Sequence, residues 1–272
     1  MRPAWAAAFD RGRLGDAFPL APGASITREW AFGDGNGAGA KVAIVDSGIE
    51  ADHPMVGKVA GAVAIELDPD DEEGNALRFV EGPHDDLYGH GTACAGIIHA
   101  LAPDAELYSV RVLGAELTGR ASVFAAGLRW AIDNGMNVVN LSLSTSRGEW
   151  YGTFHELADL AYFRRCVVVS AMNNLRMPTF PSEFASVVSV AAHSGTNPER
   201  FDYNPDGPAE FGAPGIDVEV AWSGGGTLEV TGNSFAAPHI AGMVARIIGQ
   251  HPEATPFQVK TILHALADNA RR

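Results

Sequence analysis

The sequence predicts an α/β fold of three layers, in which a mostly parallel central sheet carries helices on both faces. Short apolar runs recur along the chain, as is typical of buried parallel strands. Segments with helical periodicity separate most of these runs, which is the alternation expected when a crossover helix follows each strand. With 272 residues, of which 46% are hydrophobic, the chain can bury one large core.

The first clear element is a predicted strand at 41–46, where four apolar residues precede Asp46. Residues 50–89 show no strong periodicity, so no element is predicted there. Thr255 is a predicted N-cap for the last helix. The remaining predicted strands are 106–113, 137–143, 166–169, 187–192 and 228–231, and the predicted helices are 90–101, 121–134, 153–163, 234–250 and 256–267.

Residues 1–40 are predicted to be irregular because they contain prolines and a glycine-rich run at 33–39. We therefore predict an N-terminal extension at 1–37 that wraps the surface, followed by a single domain at 38–272. Cys94 and Cys166 lie in apolar runs and are predicted to be buried free thiols, not a disulfide framework.

The charge of the chain excludes some partners. A formal net charge of −14 argues against nucleic-acid binding through a basic surface. No stretch approaches the roughly 20 apolar residues that span a bilayer, so no membrane association is expected. The apolar segment near Met1 is too short for a signal peptide, which predicts a cytoplasmic protein. A mature secreted form would have the same features.

An acidic cluster occupies residues 66–73. It is interpreted either as a solvated surface loop or as a calcium site, which requires several oxygen ligands in ordered geometry. The spacing of these acids specifies no such geometry, so no metal is predicted. The members of the cluster are Glu66, Asp68, Asp70, Asp71, Glu72 and Glu73.

Three residues suited to acyl transfer lie at the ends of predicted elements. Asp46 ends a strand, His90 lies between two glycines at a helix start, and Ser234 lies at a loop-to-helix junction. Each has an ordinary explanation alone, as a turn residue, a packing histidine or an N-cap. Together they supply a nucleophile, its base and a carboxylate that orients the base. Asn174 and the Ser234 N–H are candidate donors to an oxyanion.

The segments 46–48, 89–92 and 232–238 resemble the three signatures of the subtilisin-like serine proteases, in that family's order Asp, His, Ser. The resemblance covers roughly residues 38–268. It implies a serine endopeptidase without a cofactor, in which Ser234 is the nucleophile, His90 the general base and acid, and Asp46 the orienting carboxylate.

The same resemblance implies the remaining site residues. Asn174 matches the oxyanion asparagine, with Asn173 as the alternative if the alignment slips by one residue. A peptide or protein substrate is expected to bind in extended conformation and to pair with two flanking segments. The residues of these segments are Leu117, Thr118, Gly119, Ser142, Leu143 and Ser144.

The sequence departs from the family pattern near the predicted nucleophile. Asn233 stands where the family usually has Thr, and its side chain is expected to donate near the oxyanion. Asn173 and Ser144 each stand where Gly is usual, which predicts a narrower pocket for the substrate side chain. The family's common calcium loop after the His90 helix has no counterpart before Ala102, so that calcium is not carried over.

Two other functions remain open on the same scaffold. A transpeptidase or macrocyclase would resolve the acyl-enzyme with an amine instead of water, and residues 66–88 are the only large candidate insertion for excluding water. A peptide-binding pseudoenzyme is the second alternative, and it is supported only by Asn233 and Asn173.

Overall fold

The predicted architecture is confirmed in a computed structural model, which describes residues 26–271. The strands are β1 (Lys41–Asp46), β2 (Val59–Leu67), β3 (Leu77–Glu81), β4 (Glu106–Arg111), β5 (Val138–Leu141), β6 (Val167–Ala171), β7 (Val188–His193), β8 (Asp202–Tyr203), β9 (Phe211–Pro214), β10 (Val218–Trp222) and β11 (Gly226–Val230). The helices are α1 (Arg28–Phe32), α2 (His90–Leu101), α3 (Ala121–Asp133), α4 (Tyr151–Phe163), α5 (Asn233–Gln250) and α6 (Pro256–Leu266).

Nine strands form the main sheet, in the order β3-β2-β4-β1-β5-β6-β7-β9-β8. The run from β2 to β9 in that order is parallel, and the two outermost strands are antiparallel to their neighbours. Strand β1 lies between β4 and β5, so Asp46 ends a central strand. Since the carboxyl ends of parallel strands meet at one edge, the loops after β1, β4, β5 and β6 are brought together there.

Each face of the sheet has its own core. Helices α2 and α5 cover one face and bury side chains such as Ile240 and Ile98 against β1, β5 and β6. Helices α3 and α4 cover the other face, where Leu128 and Phe154 pack on Val139. The buried face of α5 extends almost without interruption from its first turn to its last, because this helix is enclosed by the sheet, α2 and α6.

The prediction that residues 1–40 are irregular is wrong within the described part of that segment. Helix α1 forms there, and the Thr27 hydroxyl caps it by accepting a hydrogen bond from Trp30 N–H at 3.1 Å. Phe32 is buried in the same core as α5, so this stretch is part of the packed domain. The predicted surface-wrapping extension otherwise concerns residues 1–25, which lie outside the described residues, and the domain boundary at 37/38 stays a prediction.

No element is predicted at 50–89, yet β2 and β3 form an antiparallel hairpin there, at the edge of the sheet. The small residues of β2 give no alternating pattern, which is why periodicity missed the hairpin.

The acids of this hairpin have protein partners. Arg78 and Arg111 bind the Glu66 carboxylate at 3.1 and 2.6 Å and lower its pKa. The Asp71 carboxylate accepts the N–H groups of Ala76 and Asn75, which lower its pKa. These contacts favour a structural role for both acids over a calcium site.

None of the helices within residues 26–271 is long and apolar enough to cross a membrane.

Candidate active site

Asp46 ends β1 and is fully buried. Its Oδ1 accepts a hydrogen bond from Ser47 N–H at 2.8 Å. Both carboxylate oxygens lie 2.9 Å from His90 Nδ1. A buried carboxylate with these partners holds the imidazole in one orientation.

His90 begins α2, and the glycines beside it allow the close approach to β1. Gly89 has φ of 113°, in the left-handed region that favours glycine. A Cβ on Gly91 would overlap the carbonyl oxygen of Gly48. The Phe235 ring packs against the imidazole with a centroid distance of 5.1 Å. The start of α2 therefore holds the His90 ring in contact with both Asp46 and Phe235.

Two opposing effects act on the pKa of His90. Burial lowers it, whereas the neighbouring Asp46 carboxylate raises it, and the resulting pKa lies well above the ordinary value. With Nδ1–H donating to Asp46, the neutral ring presents the lone pair of Nε2 on its other side. This is the tautomer that a general base requires.

Ser234 lies in the first turn of α5, and a proline later in that helix explains its main-chain contacts. Pro238 has no N–H to donate to the carbonyl four residues earlier, which is that of Ser234. The Ser142 hydroxyl donates to this carbonyl instead, at 2.7 Å, and Cys94 Sγ lies 3.8 Å from it. Asn140 in turn donates to Ser142 Oγ at 3.0 Å. A buried polar chain from β5 thus fixes the main chain of Ser234.

Both cysteines are buried and free, as predicted. Burial raises the pKa of both thiols, that of Cys166 to about 12. Cys94 is therefore a neutral thiol that packs beside Asp46 and Ser142, at 4.0 and 3.3 Å from their oxygens.

His90 and Ser234 face one cleft of about 390 Å³ at the carboxyl edge of the sheet. Asn174 and all six residues expected to flank the substrate line it as well. The full lining is His90, Leu113, Leu117, Thr118, Gly119, Ser142, Leu143, Ser144, Ala171, Met172, Asn173, Asn174 and Ser234.

The two candidate oxyanion asparagines differ in orientation. Asn173 Oδ1 accepts a hydrogen bond from Leu175 N–H at 2.8 Å, within its own loop. Asn174 Oδ1 accepts from Asn233 N–H at 2.9 Å. A Cβ placed on Gly232 would lie 3.3 Å from Ser234 Oγ and 3.6 Å from Asn174 Nδ2, so these two atoms border the same small space. The geometry favours Asn174 over Asn173 as the donor.

The expectation that the Asn233 side chain donates near the oxyanion is wrong. Its Nδ2 donates to the carbonyls of Met172 and Asn173 at 3.2 and 3.1 Å. Its Oδ1 accepts from Ala192 N–H at 2.8 Å. All of these partners are main-chain groups of the protein, so the amide hydrogens are already used.

Sequence reasoning missed Asp86, whose carboxylate organises the start of α2. It accepts hydrogen bonds from Gly89 N–H at 2.8 Å, Thr92 N–H at 2.9 Å and the Ser47 hydroxyl at 2.7 Å. An Asp shortly before a helix start is a capping signal, and this signal could have identified Asp86.

One group of potential metal ligands occurs within residues 26–271. It consists of Asp46, His90 and Cys94, whose ligand atoms lie within 4.8 Å of one another. Because His90 Nδ1 and the Asp46 oxygens already bind each other, this arrangement favours proton chemistry over metal binding.

A buried Asp–His pair that shares a cleft with a serine and an amide donor defines a serine hydrolase site. The model of the subtilase family matches residues 37–271, and the chain belongs to this family. Subtilisin BL of Lederbergia lenta is 34% identical over 239 residues, which cover 84% of this chain and 82% of that protein.

Other relatives agree with this assignment. M-protease of Shouchella clausii (strain KSM-K16) is 34% identical over 239 residues, covering 84% of this chain and 58% of the relative, so the chain spans little more than half of that protein. A crystal structure of a cold adapted subtilisin-like serine proteinase superposes with a TM-score of 0.69 at 24% identity, covering 88% of this chain and 87% of that one.

The family and these relatives indicate a serine-type endopeptidase that acts on peptide or protein substrates. They give no support to the transpeptidase and pseudoenzyme alternatives, nor to the predicted cytoplasmic location. A secreted form is compatible with them.

Proposed function

We propose that Ser234, His90 and Asp46 are the catalytic triad of this chain, with Asn174 as the oxyanion donor, and that they hydrolyse peptide bonds through an acyl-enzyme. The observation that carries the proposal is the buried hydrogen bond from His90 Nδ1 to Asp46, at 2.9 Å, beside a cleft that Ser234 also lines.

In the first half of the reaction, His90 Nε2 takes the hydroxyl proton of Ser234 while Oγ attacks the substrate carbonyl carbon. The Asp46 carboxylate stabilises the imidazolium that forms. His90 then gives its proton to the leaving amine, and the C–N bond breaks to leave an ester on Ser234. In the second half, His90 takes a proton from water, whose oxygen attacks the ester, and the proton returns to Ser234 Oγ.

Negative charge develops on the carbonyl oxygen in both halves. Asn174 Nδ2 and the Ser234 N–H are the proposed donors to it. The first turn of α5 adds a favourable dipole at this point, because unpaired N–H groups at a helix start carry partial positive charge. A donor fixed before reaction stabilises the transition state without having to reorganise.

The substrate is proposed to lie extended between the segments 117–119 and 142–144. This is supported by their position, since the first follows β4, the second follows β5, and both line the cleft. An extended peptide there can use main-chain hydrogen bonds for affinity and alternate side chains for specificity. Ser144 lines the cleft where the family usually has Gly, so we expect it to narrow the pocket for the substrate side chain.

A fluorophosphonate probe and a peptide library test the triad. We expect wild-type protein to be labelled on Ser234 and to cleave library peptides. Ser234→Ala should abolish labelling and lower kcat by about 10⁶-fold, the size known for the nucleophile of subtilisin, a member of this family. The matched control is Ser194→Ala, which removes an exposed serine outside the cleft and should behave as wild type. Cleavage that survives Ser234→Ala would refute the proposal.

A further inference from the structure

The Asn233 side chain connects strand β7 to the loop after β6, which carries the proposed oxyanion donor. Its Nδ2 reaches Met172 O and Asn173 O, which follow β6, and its Oδ1 reaches Ala192 N–H in β7. Asn173 immediately precedes Asn174 in the chain. Asn233 is therefore hydrogen-bonded to the peptide group that joins Asn173 to Asn174, the proposed oxyanion donor.

Only one orientation of this amide is physically acceptable. Rotating it by 180° would place the NH₂ group against Ala192 N–H and the oxygen against the two carbonyls. Every hydrogen bond would then become a contact between like partial charges. The donors of Asn233 are consequently directed at the loop and not at the cleft.

The main chain of Asn233 makes a second connection to the donor. Its N–H donates to Asn174 Oδ1 at 2.9 Å. This bond leaves Nδ2 as the free end of the Asn174 amide, on the side where Ser234 Oγ also lies. Both the main chain before Asn174 and the side chain of Asn174 are thus held by one residue at the start of α5.

We propose that Asn233 is a positioning residue that fixes Asn174 in the geometry needed to bind the oxyanion. This inference rests on the proposed function, because it assigns Asn233 a role through Asn174 in the same reaction. It differs from direct donation to the oxyanion, since the donors of Asn233 are used by Met172 and Asn173.

The chemistry of the amide explains why other residues are poor substitutes. Threonine has one hydroxyl donor, so it cannot donate to both carbonyls while also accepting from Ala192. Aspartate keeps the shape and the acceptor for Ala192 N–H but has no donor when ionised. Asn233→Asp therefore separates the two sets of hydrogen bonds, because the bonds to the loop carbonyls are lost while the bond from Ala192 N–H is kept.

The test measures kcat, KM and thermal stability for Asn233→Ala, Asn233→Thr and Asn233→Asp. A small displacement of a catalytic group costs up to about 10²-fold in rate, so we expect kcat to fall by about 10-fold or more in Ala and Asp and by less in Thr. KM should stay within about twofold of wild type, because Asn233 does not line the cleft. A purely structural role would lower the melting temperature without lowering kcat per active site.

Thr231→Ala is the matched control for the segment. Thr231 is also a side chain with two hydrogen bonds, to Asp217 N–H and Asp217 Oδ1 at 2.9 and 3.0 Å, and it lies two residues before Asn233. We expect this variant to lose stability and to keep kcat.

A double-mutant cycle with Asn174→Ala decides between the roles. If Asn233 acts through Asn174, then Asn233→Ala should change kcat little once Asn174 is already Ala. An effect of full size in that background would overturn the inference, as would an Asn233→Asp protein with wild-type kcat.

The inference and the proposed function fail in different ways. Wild-type cleavage together with an unchanged kcat in Asn233→Ala would overturn the inference alone. No cleavage by the wild type would overturn the proposed function. In that case the double-mutant cycle is measured through the rate at which the fluorophosphonate labels Ser234, since its phosphoryl oxygen occupies the oxyanion position. A labelling rate in Asn233→Ala equal to that of the wild type would overturn the inference.

Discussion

Helices α2 and α5 both begin at the cleft and both carry a member of the proposed triad in their first turn, yet their N-termini differ. The start of α2 is closed by side chains. Asp86 accepts the N–H groups of Gly89 and Thr92, and Ser47 Oγ accepts that of Gly91 at 3.1 Å. A carboxylate at this end also complements the helix dipole.

The start of α5 is open towards the cleft. Gly232 provides no side-chain cap, and the Asn233 N–H is used to orient Asn174. Within residues 26–271, no group accepts a hydrogen bond from the Ser234 N–H. An N–H left without a partner at a helix start is suited to an anion that forms only during the reaction.

The N–H groups at the two helix starts are used in different ways. At α2 the N–H groups of Gly89, Gly91 and Thr92 are satisfied by Asp86 and Ser47, which fixes the position of His90. At α5 the Ser234 N–H has no acceptor among the described residues, and the proposed reaction would use it as a donor to the oxyanion. We therefore expect mutations at the closed end to act mainly on stability and mutations at the open end mainly on rate.

The largest effect is expected at the open end. Asn174→Ala should lower kcat by about 10²–10³-fold, the range known for subtilisin itself when it loses this kind of donor. Asn174 is exposed, so the free energy of unfolding should change little. Steady-state kinetics and urea unfolding measure the two quantities. Asn173→Ala is the matched control and should keep most of the wild-type kcat. An equal loss of kcat in Asn173→Ala would contradict the assignment of Asn174 as the donor.

At the closed end, Asp86→Ala should lower the free energy of unfolding by about 2–3 kcal/mol, because it leaves several N–H and hydroxyl donors of the α2 start without their charged acceptor. Urea unfolding at neutral pH measures this change. Asp85→Ala, at the preceding exposed position, serves as the control. If Asp86→Ala reduced kcat severely while stability stayed at the wild-type value, the contrast between the two helix starts would not hold.

The smallest effect concerns titration, and His239 in α5 provides an internal reference. His239 is buried without a carboxylate, and burial lowers its pKa to about 4. The Asp46 carboxylate instead holds the pKa of His90 well above its usual range. NMR titration of the imidazoles should therefore show His90 protonating at a higher pH than His239. In Asp46→Ala the His90 pKa should fall, since burial still lowers it while the carboxylate that raises it is lost.

The sign of the pH dependence follows from the base role of His90, which must be neutral. Activity should rise as pH rises through the His90 pKa, at a higher pH than an ordinary histidine would give. Stability should behave in the opposite sense. A histidine whose pKa is raised by folding stabilises the protein fully below its unfolded pKa and loses that contribution as pH rises through the folded pKa. A wild-type activity profile that declines over this range would contradict the assignment.

Much of the fold could be predicted because buried parallel strands leave a local pattern. The apolar runs at β1, β5, β6 and β7 were identified within a few residues of their ends. The hairpin of β2 and β3 was missed because its small residues show no period. Helix α1 was missed because glycines and prolines dominate its surroundings, and its stability depends on packing against α5.

The candidate site also has features that the sequence could predict and features that it could not. Asp46, His90 and Ser234 could be proposed as a triad from the sequence because each lies in a short motif and the three motifs follow in the family's order. The sequence leaves the choice between Asn173 and Asn174 open, because adjacent residues are equivalent in a motif, whereas in the fold Asn174 Nδ2 borders the same space as Ser234 Oγ. The hydrogen bonds of the Asn233 side chain could not be predicted either, since their partners lie 41 to 61 residues away in the chain.

Local periodicity and short motifs are therefore enough to predict the fold class and the family, and to propose Asp46, His90 and Ser234 as the reactive groups. The orientation of these groups depends on the tertiary structure. In the fold, Asp86 closes the start of α2, Asn174 Nδ2 lies near Ser234 Oγ, and the Asn233 side chain is hydrogen-bonded to the loop after β6. The physical reason is that hydrogen bonds are short and directional, and their partners here are brought together by sheet order and helix packing, not by proximity along the chain.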